Sequence, residues 1–127
     1  MKLTDNVKLF VYGSLLSGGS QRIDVLSRIS FTMSGAKLYK HVDEDYPTMH
    51  LTGQEKDLVE GELIEVTEDV FNTLYELESS VRYECQAKLI QGQLVHFFHK
   101  PLYINKHLKA NYLFVGKSWI NYQKRND

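Results

Sequence analysis

The sequence predicts an α+β fold, a small mixed β-barrel with one or two short helices. Three observations lead there: about six strand-like runs, one clear amphipathic helix, and a chain with too few helices for the crossovers of a doubly wound parallel sheet. At 127 residues there is room for one hydrophobic core. No linker, repeat or low-complexity tract divides the chain, so residues 1–127 are expected to form a single domain.

"VKLFVYG" is a β-branched and aromatic run closed by Gly13, as a core strand should be. In "GSQRIDVLSRI", Ile23, Leu26 and Ile29 stand at helical spacing and suggest a short helix or turn. "FTMSGAKLYKH" reads as a strand weakened or bulged at Gly35, and "DEDYPTMHL" as an acidic turn through Pro47. "DLVEGELIEV" is extended, with Leu58, Ile64 and Val66 on one parity. The clearest helix starts at Thr67, an N-cap followed by Glu68 and Asp69 where the dipole favours negative charge, and runs through Val70, Phe71, Leu74 and Leu77. "ECQAKLI" and "QLVHFFH" flank Gly92 as a hairpin, and "ANYLFVGKSW" supplies a last strand or bend.

Charge excludes several functions. The formal net charge is −1, and the lysines and arginines are scattered except in the terminal "QKRND". No basic stripe offers itself to nucleic acid or a membrane surface. The start "MKLTDNVKLFVYG" has no signal-peptide core, and no apolar run approaches the roughly 18 residues of a spanning helix. Cys85 is the only cysteine, which leaves neither an internal disulfide nor a cysteine-rich metal site. A cytoplasmic protein is expected.

Within "LYELESS" the two glutamates separate by helical rotation. With Phe71 at zero, Leu74 falls at about 300°, Glu78 at about 340° and Glu76 at about 140°. Glu76 faces solvent, whereas Glu78 continues the apolar stripe if the helix reaches it. A carboxyl buried there, at the negative end of the helix dipole, has its pKa raised and suits a group that takes and returns a proton. If the helix ends at Leu77, Glu78 is an ordinary turn residue.

The segment "GSLLSGG" poses a second question. It lacks the lysine of a P-loop, the spacing of a dinucleotide loop and the second glycine of a Gly-x-Ser-x-Gly elbow. Its small residues could expose successive backbone N–H groups to a carboxylate, or simply make a tight turn.

Taken in order, "FVYGSL", "YP", "VEGELIEV", "LYELE", a nearby tyrosine and "GKSW" resemble the γ-glutamylcyclotransferase-like family of small barrel domains over nearly the whole chain. The resemblance implies that Tyr12, Gly13, Ser14 and Leu15 form the loop binding the glutamyl group, with Tyr83 as a further substrate-binding residue. Glu78 becomes the catalytic acid/base. It further implies a cyclisation of a γ-glutamyl amine or peptide to 5-oxoproline with release of an amine, needing no cofactor or metal and no macromolecular partner. A non-catalytic module binding a small metabolite, or another amide-cleaving acid/base enzyme, would use the same scaffold. The chain departs from the family pattern at Ser79, where glycine is common, and after Tyr83, where Glu84 and Cys85 replace a Tyr-x-Arg pattern. Phe97 and Phe98 stand where a tyrosine is frequent, and Gly116-Lys117-Ser118-Trp119 where Ser-Gly-Asp-Trp is usual.

Other residues carry weaker signals. His96 and His99 would face opposite sides of a strand, which argues against a metal pair, and His41, His50 and His107 are isolated. Cys85 has the setting of a small buried residue rather than a nucleophile. Tyr39 and Tyr46 could join Tyr83 at a pocket, or pack.

Overall fold

The computed structural model describes residues 6–13, 15–16, 23–43, 46–81, 83–99 and 112–125. Among these residues, eight strands and two helices follow one another: β1 (Val7–Val11), β2 (Ser27–Ser34), β3 (Ala36–His41), β4 (Pro47–Leu51), β5 (Leu58–Val66), α1 (Glu68–Ser80), β6 (Glu84–Ile90), β7 (Gln93–His99), β8 (Tyr112–Gly116) and α2 (Trp119–Arg125).

The α+β composition with mixed pairing is as expected, but the barrel is not formed. The strands make a five-stranded sheet in the order β2-β5-β1-β7-β6 and a separate three-stranded sheet in the order β4-β3-β8, and among the described residues neither closes on itself. The chain passes between the sheets at Gly35, whose φ of 82° is a left-handed conformation that glycine adopts freely. There the chain leaves β2 and enters β3 in the other sheet, so the residue read as a bulge is a corner. The edges β2 and β6 then stay on opposite sides of the larger sheet.

β1 is the centre of the larger sheet, antiparallel to β5 and parallel to β7. Both of its faces are buried, which is why it reads as a continuous apolar run. Phe10 and Tyr12 join Met33, Leu38, Met49, Val59, Val95, Phe97, Val115 and Trp119 between the two sheets. Leu9 and Val11 join Ile64, Val66, Leu74 and Phe98 beneath α1. The layers are helix, five strands and three strands. β5 is likewise divided, with Val59 facing the smaller sheet and Ile64 and Val66 facing the helix.

Three further expectations are corrected. Residues 27–29, read as the end of a short helix or turn, are strand, continuous with the strand expected from Phe31, and Leu26 and Ile29 are exposed, because Ser27 to Ser34 pair along β5. Pro47 opens β4 instead of sitting in a turn; the first residue of a strand tolerates its missing N–H. Leu77, assigned to the apolar stripe of α1, is 54% exposed.

Candidate active site

The segment after β1 is held on several sides. The buried Tyr12 hydroxyl donates to the Phe98 carbonyl at 2.5 Å and accepts from the Met49 N–H at 3.2 Å, so the side chain belongs to the core and only its backbone faces the loop. Gly13 lies against β4, where an added Cβ would stand 2.9 Å from Pro47 Cγ. This close approach is what the glycine serves. The Leu16 N–H donates to the Gly13 carbonyl at 3.1 Å, closing a tight turn, and Leu15 and Leu16 are buried under α1. Ser14 lies outside the described residues.

α1 begins at Thr67, whose hydroxyl oxygen accepts from the Val70 N–H at 3.3 Å. It continues to Ser80, so Glu78 is helical and half-buried on the side of Phe71 and Leu74, whereas Glu76 is exposed. The rotational distinction between the two glutamates therefore holds. Burial pushes the Glu78 carboxyl above its ordinary range. Its carbonyl accepts from the N–H groups of Val81 and Tyr83, at 3.2 and 2.9 Å, fixing the helix end. The Tyr83 hydroxyl then donates to the Pro47 carbonyl at 2.6 Å and ties that end to β4.

Tyr12, Gly13 and Tyr83 thus converge on Pro47 to Met49, and Glu78 is joined to them through the bond from the Tyr83 N–H to its carbonyl. The charge of Glu78 is felt at the Tyr12 hydroxyl, which burial and then that charge hold protonated, against the opposing pull of its bonds to Met49 and Thr48. A half-buried carboxyl with a raised pKa can exchange a proton with a bound small molecule.

No local pattern points to the β4 platform or to Arg28 and Glu62, whose guanidinium and carboxylate pair behind the loop while Arg28 Nη1 also donates to the Leu15 carbonyl at 3.1 Å. Only strand register brings these together, and register is not legible in either segment alone. His99 is buried next to Phe97, with its pKa lowered chiefly by burial. Its ring is neutral at neutral pH.

The remaining sequence candidates stay apart. His96 packs on Phe71 under the helix while His99 lies between the sheets, and no metal-binding cluster occurs among the described residues. Burial raises the Cys85 thiol pKa, the reverse of an activated nucleophile. Tyr39 packs on His50 and Phe114 in the smaller sheet, and Tyr46 tilts onto Tyr83. His107 and Arg82 lie outside the described residues. An open groove of about 620 Å³ between Ile23, Asp24 and the Asp69–Leu77 flank of α1 does not include Glu78.

The family model described as gamma-glutamyl cyclotransferase, AIG2-like, matches residues 9–120, from β1 into α2. The chain belongs to this family. No curated protein gives a significant sequence match. Among solved structures, the solution structure of an Arabidopsis thaliana protein is similar with a TM-score of 0.57 and 22% identity, over 84% of this chain and 73% of that one. The crystal structure of an uncharacterised Pyrococcus horikoshii protein is similar with a TM-score of 0.56 and 19% identity, over 74% of this chain and 77% of that one. At these identities they share the fold. Membership of the gamma-glutamyl cyclotransferase family supports an enzyme of that general kind acting on a small molecule. No helix among the described residues is long and apolar enough to cross a membrane.

Proposed function

We propose that the protein converts a γ-glutamyl amine or peptide to 5-oxoproline and a free amine by intramolecular aminolysis. The observation that carries this reading is the half-buried Glu78, its pKa raised by burial and its charge felt at the tyrosine that leads into the glycine loop. The substrate's α-amino nitrogen attacks its own γ-carbonyl carbon. Glu78 takes the proton that this nitrogen sheds, and the carbonyl electrons move onto oxygen as the ring closes. When they return, the original C–N bond breaks and Glu78 delivers the proton to the departing nitrogen. Backbone N–H groups at positions 12–15 hold the α-carboxylate and bend the flexible chain toward attack, which supplies much of the acceleration.

The test is a mass-spectrometric screen for 5-oxoproline over γ-glutamyl amino acids, γ-glutamyl amines and glutathione. Glu78→Gln is nearly isosteric and is expected to keep the fold and lose roughly 10²–10⁴-fold in turnover, while Glu76→Gln stays near wild type. Wild-type turnover in Glu78→Gln would remove the residue from the mechanism. Ligand-induced thermal shifts without any 5-oxoproline would instead identify a binding module.

A further inference from the structure

The peptide joining Leu15 to Leu16 has both polar ends engaged inside the protein. Its N–H donates to the Gly13 carbonyl at 3.1 Å, and its C=O accepts from Arg28 Nη1 at 3.1 Å. The same nitrogen donates to Glu62 Oε1. Arg28 comes from β2 and Glu62 from β5, whose Cα stands opposite Val11, the last residue of β1. The charge pair therefore sits where the chain leaves the sheet and becomes the loop. The two side chains are only 22% and 15% exposed, so solvent screens their attraction less than it would on an open surface.

We infer that Arg28, held by Glu62, is the positioning residue that fixes the loop for the substrate's glutamyl end; this rests on the loop role proposed above. Gly13 against Pro47 sets one side of the turn, and the guanidinium sets the other. With both polar ends bonded, the Leu15–Leu16 peptide plane keeps one orientation before substrate arrives. Arg28 touches no substrate atom. Its effect falls on binding, because a loop free to reorient must be ordered by the ligand at the expense of affinity.

Two variants test this. Arg28→Gln removes the cation but leaves a partly buried carboxylate without its guanidinium. The double variant Arg28→Met with Glu62→Leu removes the pair together, a replacement that folds tolerate well. In both, KM for the γ-glutamyl substrate is expected to rise roughly tenfold with kcat per folded molecule little changed. A merely structural role would reduce the folded fraction and leave KM where it was. Amide exchange at Leu16, read without substrate, is expected to accelerate while that at Phe71 in α1 does not. An unchanged KM in the folded double variant overturns the inference. If the wild-type protein itself makes no 5-oxoproline, the reading of the site fails, and the exchange data then decide whether Arg28 clamps the loop at all: unchanged Leu16 exchange overturns that too.

Discussion

At Glu78, burial shifts the balance between two protonation states, and the sign of that shift has consequences for both stability and rate. The native protein binds this proton more tightly than the unfolded chain does. The associated stabilisation is complete below the ordinary carboxyl value of 4.5 and is lost as pH rises through the raised value. Above it, the native state carries a partly desolvated charge. Glu78→Gln, which cannot ionise, is therefore expected to melt higher than wild type at pH 7, with the gap closing as pH falls toward 4.5; paired melting curves across that range check it. The acidic limb of kcat/KM is expected to lie above 4.5 for the same reason, since the base must lose its proton before it can act. A pH-rate profile with its limb at the ordinary value would disconnect Glu78 from the chemistry.

At the scale of single elements, β5 shows how a glycine inside a strand serves the site. A Cβ at Gly61 would stand 2.2 Å from the Val11 carbonyl oxygen and 2.8 Å from Phe10 Cζ. No side-chain rotation relieves a clash with backbone. Gly61→Ala is expected to destabilise the fold by about 1–3 kcal/mol, read as a lower urea midpoint, and to displace Val11 just ahead of the loop. The elements that were legible in the sequence share a cause: a local pattern sufficed. α1 had its N-cap and stripe, and the β6–β7 hairpin had Gly92 at its turn, where Gln91 and Gly92 both adopt positive φ. α2 was missed although a local signal existed, since Ser118 caps it by accepting from the Asn121 N–H at 3.2 Å. Pro47 was misread because a proline at a strand's first residue looks like a turn until its partner strand is known.

For the whole molecule, what the sequence withheld was pairing between distant segments. The chain passes from one sheet to the other at Gly35, and nothing beside it in the sequence distinguishes a bulge from a corner. Glu78 and the loop could be singled out from helical rotation and family motifs, whereas Arg28, Glu62 and the Pro47–Met49 platform depend on register. Because β1 contributes to the clusters on both faces of the larger sheet, the layers are expected to unfold together. Trp119, the only tryptophan, is buried between the sheets, so its fluorescence and far-UV circular dichroism should trace one coincident denaturation curve. Two separated midpoints would mean that the smaller sheet melts alone.

The bond from the Tyr12 hydroxyl to the Phe98 carbonyl spans 86 positions of the chain. During synthesis the loop leaves the ribosome 86 residues ahead of one of its anchors. Closing so long a loop is entropically costly and slow relative to local structure, so α1 and the β6–β7 hairpin can form while the glycine turn is still waiting for its partner. The tether between Tyr12 and Phe98 is therefore expected to be among the later contacts to form.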